Sequence, residues 1–171
     1  MKARYKILRC LAYFLEILTL YVLQMTPGLV PSVFGVTPLL VIPAALTVAV
    51  LEDEVTGLAF GIFAGLLVDF GMGDMLGFHA LFLGAVCYLL GILAINLVKT
   101  TLFTVMLLSF LAVPVLYSLQ FVFFYLIPGY DIPGRAYLRY YLPRMAYTWI
   151  VTPIFYFINR AFVLWIRARD D

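Results

Sequence analysis

Hydrophobic and polar positions do not alternate along this chain. Apolar residues gather into long blocks, at about 7–25, 33–51, 55–70, 76–98, 102–127 and 145–166, with most polar residues between them. A helix needs roughly 20 apolar residues to cross the hydrocarbon of a bilayer, and most of the blocks approach that length. Barrel strands would show a period of two, which these blocks lack. The pattern predicts an all-α integral membrane protein: six transmembrane helices in one bundle, with the whole chain, 1–171, forming a single polytopic domain.

The residues between blocks support these cuts. Glu52-Asp53-Glu54 sets three adjacent carboxylates after the second block, which marks water. Gly71-Met72-Gly73-Asp74 and Lys99-Thr100-Thr101 read as tight turns, and Pro128-Gly129-Tyr130-Asp131-Ile132-Pro133-Gly134 is a strong turn signal. Pro38 and Pro43 fall in the second block, Pro114 in the fifth and Pro153 in the sixth. Membrane helices tolerate such breaks when neighbours satisfy the freed carbonyls. The basic start followed by an apolar run resembles a signal peptide. The run is too long for one and has no small-residue cleavage pattern, so it reads as a retained first span.

Composition narrows the function classes. With 65% apolar and 12% charged residues, a water-soluble globule is excluded, and six spans leave no length for a soluble domain. A net charge of +2 gives no reason to expect nucleic-acid binding. Cys10 and Cys87 lie in apolar stretches and read as small buried hydrophobes. Positively charged flanks tend to stay cytoplasmic. With the N-terminus inside, Lys2, Arg4, Lys6, Arg9, Lys99, Arg160, Arg167 and Arg169 lie on or near the inner side and only Arg135, Arg139 and Arg144 lie outside. That bias predicts both termini in the cytoplasm. Five spans follow instead if the short second and third blocks are cut differently.

Three groups of residues could carry function. Gly57, Gly61 and Gly65 recur every four residues and lay a groove along one face of the third span, closed by Asp69. Gly77, Gly84 and Gly91 repeat every seven in the fourth, with Ala45 and Ala49 in the second. Such grooves let helix backbones approach closely in lipid. They serve packing within the bundle or docking of a partner's transmembrane helix. Asp69 and His79 come to similar depth in a helical hairpin and can pair or cap a helix, and with Glu16 they are the candidates for a polar site. One histidine and one aspartate are too few for usual metal-ligand sets, so no metal or cofactor is expected. Glu16 falls near the middle of the first span, where an ionised carboxylate costs about 3 kcal/mol, so it should face protein or water. Arg135, Tyr137, Arg139 and Tyr140 interleave charge and aromatic rings in the outer loop, as a segment lying in the headgroup layer would. That loop is a plain interfacial belt, or it recognises an anionic lipid or an extracytoplasmic partner. No Ser-His-Asp set, phosphate loop or HExxH motif is present, so an enzyme is not expected.

The segment Gly61-Ile-Phe-Ala-Gly65-Leu-Leu-Val-Asp69, followed by Gly77-Phe-His79-Ala80-Leu81, resembles the bacterial rod shape-determining protein MreD family, as does Leu142-Pro143-Arg144-Met145-Ala146-Tyr147 through Pro153, Tyr156 and Arg160. The acidic Glu52-Asp53-Glu54 turn departs from the glycine-containing turn expected there. The resemblance implies a non-enzymatic scaffold of the cell-wall elongation machinery in the bacterial inner membrane. It would bind MreC and, through it, the transpeptidase and glycosyltransferase wall synthases and MreB, with membrane lipids as neighbours. On this view the glycine stripe and Asp69 hold the partner helix, and leucine at Gly61 or Gly65 would detach it. The family also resembles, at fold level, the S components of energy-coupling-factor vitamin transporters. A solute-capturing subunit using Asp69, His79 and the Tyr/Arg loop is the competing class. Its expected A-x-x-x-A motif is missing from the first span, where Ala3 and Ala12 stand nine apart.

Overall fold

The computed structural model describes residues 2–73, 75–97 and 101–167, all of them in helices, turns or irregular connections apart from one isolated bridge between Val33 and Val36. The helices are α1 (Lys2–Met25), α2 (Val41–Leu51), α3 (Glu54–Met72), α4 (Phe78–Leu97), α5 (Leu102–Phe121), α6 (Pro133–Ala136) and α7 (Leu142–Arg167). A π-helical turn, Val122–Leu126, prolongs α5, and another, Tyr137–Tyr141, joins α6 to α7. Among the described residues, five continuous stretches are long and apolar enough to cross a membrane: Arg4–Met25, Glu54–Met72, Phe78–Asn96, Leu102–Leu126 and Pro133–Ile166. Of the residues read as turn or tail, Asp74, Lys99, Thr100 and 168–171 lie outside those described.

The second apolar block departs from the expected span at about 33–51. Only Val41–Leu51 is helical, and the chain reaches it through turns and extended backbone. Prolines explain the late start. Pro38 disfavours helical geometry at Thr37, while Pro43 is the third residue of α2, where its missing N–H leaves no bond unmade. An 11-residue helix rises only about 16 Å, too short to face lipid alone. It has no need to, because every residue from Val41 to Val50 is buried among α1, α3, α4, α5 and α7. The short block is the axis of the bundle. It is held there by polar contacts as well as apolar ones: Asn159 Nδ2 of α7 donates to Thr47 Oγ1 at 2.7 Å, and Val41 N donates to Gln24 Oε1 of α1 at 3.5 Å.

Contacts between elements define two ends. At one, Lys6 pairs with Asp53 at 3.2 Å and Arg9 with Glu52 at 3.3 Å, and Tyr13 donates to Glu52 Oε1 at 2.9 Å. Ile166, near the end of α7, shares a cavity wall with Leu8 of α1, so α7 finishes where α1 starts. At the other end, Arg144 Nε donates to Thr37 O and Tyr147 to Pro31 O, both at 3.1 Å. The acidic turn is thus not simply a water marker, because Glu52 is folded back beneath Arg9 and Tyr13 with its side chain 5% exposed. Asp53 stays near the surface. Partial burial works to raise its carboxyl, but hydrogen bonds from Thr56 and Lys6 outweigh that and hold it below the usual carboxylate range.

Glu16 faces protein, as its position requires. Both of its carboxyl oxygens are buried and neither has a hydrogen-bond partner. An unsatisfied buried polar group costs about 1–3 kcal/mol, which an apolar side chain of similar size avoids. Glu16→Leu is therefore expected to raise the unfolding temperature of the purified protein in detergent. An unchanged or lower transition would contradict this account of the site.

Candidate functional site

The glycines of α3 are covered by the chain itself. A Cβ at Gly57 would stand 3.1 Å from the Cα of Ala49 in α2 and 3.2 Å from the carbonyl of Cys87 in α4; one at Gly61 would stand 2.9 Å from the carbonyl of Leu83. At Gly65 it would collide with the backbone of His79 and Ala80. From the other side, Gly84 of α4 receives the Ile62 side chain, and Gly91 abuts the backbone of Glu54. The stripe expected to hold a partner helix is filled by α4 and α2. The reason is connectivity: the short turn from Gly73 to Gly77 delivers α4 to that face before any separate chain can reach it.

Asp69 locks the same hairpin. Its carboxylate is buried, 2% exposed, and each oxygen is shared. Oδ1 accepts from His79 N at 3.0 Å and lies 2.7 Å from His79 Nδ1. Oδ2 accepts from Gly77 N at 2.9 Å and Ala80 N at 3.2 Å. Three N–H groups that open α4 have no partner in their own helix, and a carboxylate from the end of α3 satisfies them. Gly77, at φ +95°, and Gly73, at φ +68°, supply the left-handed conformations that let the turn double back. A carboxylate opposite Nδ1 favours a proton on that nitrogen. Nε2 is buried without a hydrogen-bond partner, near Phe124, whose ring lies 6.4 Å away and nearly parallel. Among the described residues no group of three His, Cys, Asp or Glu gathers to hold a metal. Glu16 makes no hydrogen bond to the Asp69–His79 pair.

At the end remote from α1's start, Arg135 and Arg139 line a cavity of about 300 Å³ with Tyr125, Asp131, Ile132, Ala136 and Tyr140. Tyr125, Ala136 and Tyr140 also line a neighbouring cavity of about 350 Å³, together with Gly35, Val36, Tyr141 and Arg144. Tyr137 does not belong to this exposed face. Its hydroxyl meets Ser118 of α5 at 3.1 Å and its ring sits edge-on to Phe121 at 5.0 Å, because two residues along a helix it faces away from Arg135 and Arg139.

Two features escaped sequence reasoning. An apolar cavity of about 520 Å³ lies between α1 and α7, walled by Leu8, Leu11, Ala12, Leu15, Ala161 and Trp165 among others. Only the small Ala12 and Ala161 hinted at it. Phe34 and Ile132 take positive φ, 54° and 55°, while staying 87% and 64% exposed. In the sequence Phe34 falls within the second apolar block, 33–51, and Ile132 within a turn, with no sign that either bears strain.

The Cβ distances order a mutation series. Alanine gains about 1 kcal/mol over glycine inside a helix, whereas overpacking costs about 1–3 kcal/mol. Gly57→Ala should be near neutral, Gly61→Ala destabilising, and Gly65→Ala the worst, read as thermal transitions of the purified variants. The reverse order would refute the hairpin geometry. Asp69→Ala, which strands three N–H groups and the His79 ring, should cost about 3 kcal/mol. A loss below about 1 kcal/mol would show that the cap is dispensable.

A family model for the rod shape-determining protein MreD matches residues 2–165. Neither a curated protein nor a solved structure matches the chain. The match takes in the capped hairpin, the central α2 and the remote loops together, from the second residue of the chain to within the last turn of α7. This polypeptide therefore belongs to the MreD family, whose role is in determining rod shape.

Proposed function

We propose that this protein is a non-enzymatic scaffold of the wall-elongation machinery, binding MreC within the membrane and through it the wall synthases and MreB. The observation that carries the reading is the way the bundle spends its polar groups. Asp69, His79, Asn159, Thr47 and Glu52 all bind groups of their own chain, which leaves lateral apolar surface as the means of contact. The same engagement speaks against a solute-capturing S component, because Asp69 and His79, the groups expected to meet the solute, are buried and committed to each other.

With the glycine stripe filled, the partner helix is assigned to the notch between α1 and α7. Of the five candidate spans α1 buries the smallest share of its residues, and Ala12 and Ala161 leave room there for a partner's side chains. Close packing of this kind is what holds helices together in lipid. Arg4, Lys6, Arg9 and Arg160 lie toward the end where the chain starts, which under the positive-inside tendency makes that end cytoplasmic. Lys99 and Arg169, counted with them, lie outside the described residues.

The test is co-purification with MreC from membranes. Ala12→Phe combined with Ala161→Phe should lower recovery of MreC about tenfold, equivalent to roughly 1.4 kcal/mol, while the variant keeps its size-exclusion profile. Leu81→Phe, on an exposed face of α4, should leave recovery unchanged. Wild-type recovery with the notch filled would remove the assignment.

A further inference from the structure

The two cavities at the end remote from α1's start form one notch, since Tyr125, Ala136 and Tyr140 line both. Its charge is unusual for its position. Arg135 and Arg139 line the same chamber, and among the described residues neither makes an ion pair or hydrogen bond. One carboxylate, Asp131, lines the same chamber, so two guanidinium groups meet one negative charge. Arg144 borders the second chamber with its Nε committed to Thr37 O. The floor is aromatic and fixed: Tyr125 donates to Asp131 O at 2.8 Å and stacks on Phe121 with ring centroids 5.2 Å apart.

A planar guanidinium presents paired donors that match the oxygens of a phosphate. Tyrosine hydroxyls add donors, and tyrosine rings prefer the headgroup layer. The depth fits that layer, because the notch lies where the spans Leu102–Leu126 and Pro133–Ile166 reach the bundle's end. A second and independent observation is conformational. Ile132, in the wall, and Phe34, next to Gly35 of the wall, both hold left-handed backbone that side-chain-bearing residues avoid, and both are exposed. These strained apolar residues stand beside a cationic pocket, which suits acyl chains next to a phosphate and does not suit a phosphate dissolved in water.

We propose that this notch is a binding site for the phosphate headgroup of an anionic phospholipid, gripped by Arg135 and Arg139, with Phe34 and Ile132 reaching toward the acyl region. The site is separate from the notch assigned to MreC and does not depend on that assignment.

The test compares thermal unfolding in phosphatidylcholine nanodiscs with and without phosphatidylglycerol, since a ligand bound only by the folded state raises the transition. Phosphatidylglycerol should raise it for the wild type. Arg135→Gln with Arg139→Gln should lose at least half of that rise, while keeping a cooperative transition in phosphatidylcholine alone. Arg4→Gln with Lys6→Gln removes equal charge at the opposite end and should keep the rise, because the comparison between lipids cancels any change in baseline stability. Glycerol phosphate added to phosphatidylcholine discs should give none. The proposal fails if the wild type shows no rise, if both double variants lose it equally, as a diffuse charge effect would require, or if soluble glycerol phosphate reproduces it.

Discussion

The close approach of α3 to α4 is the constraint on which the rest of the bundle depends. In lipid, burying an apolar side chain against protein gains little over burying it against acyl chains, so association must come from tight van der Waals contact and hydrogen bonds. Gly65 supplies the first by letting its helix touch the backbone of Ala80. Asp69, one turn further on, supplies the second by taking the opening N–H groups of α4. Each depends on the other. The carboxylate reaches three N–H groups only because the helices are in backbone contact, and contact at Gly65 is held in register by the carboxylate. Once that hairpin is rigid, Gly57 offers Ala49 of α2 a seat, and the short central helix can be buried without spanning the hydrocarbon itself.

Much of this was legible in the sequence, for reasons that can be stated residue by residue. A four-residue repeat of glycine defines a helix face whatever the environment, and Asp69 and His79 flank a turn too short to keep them apart. What covers that face was not legible, because a helix of the same chain and a helix of another present the same chemistry to a glycine. Only the brevity of the turn favours the chain's own. The second apolar block misled for a different reason: an apolar run need not be one helix, and of residues 33–40 only Val36, Pro38 and Leu39 are buried, in turns and extended backbone, while Val33, Phe34, Gly35 and Thr37 are exposed. Glu52 misled in the opposite sense. A carboxylate between two apolar blocks reads as solvent, and its partners Arg9 and Tyr13 lie some forty residues earlier, beyond the reach of any local pattern. Tyr137 was grouped with its exposed neighbours because they share one loop segment, whereas helical geometry sets it opposite Arg135 and Arg139, turned toward Ser118 and Phe121.

The two ends of the bundle handle charge differently. Near the start of α1, cations and carboxylates are matched, Lys6 with Asp53 and Arg9 with Glu52, and the ion pairs tie α1 to the α2–α3 turn. Along the rest of its length α1 is lightly held. Ile7, Leu11, Leu15 and Val22 are all exposed, and inward-facing Glu16 finds no partner. A helix fastened at one end and loosely packed beyond it is suited to forming part of a composite surface with another chain. At the remote end Arg135 and Arg139 are without an ion pair among the described residues, in a wall whose backbone is strained at Phe34 and Ile132.

That asymmetry bears on how the scaffold proposed above would organise its partners. Asp69, Glu52, Thr47 and the Asn159 amide nitrogen are engaged in fixing the bundle's own fold, so in the proposed scaffold specificity toward partners would come from shape on the lateral faces and from charge at the ends. Shape alone is a weak discriminator in lipid, where many helices can fill an apolar notch such as that between α1 and α7. Charge left unpaired at a membrane boundary adds depth and tilt, because cationic side chains and aromatic rings anchor a bundle at the headgroup layer. A rigid hairpin then transmits that orientation to every other helix, so that a surface on α1 and α7 is presented at one depth and one angle. Positional control of the proposed kind rests on a core that does not deform, and the contact of Gly65 with Ala80 beneath the Asp69 cap supplies it.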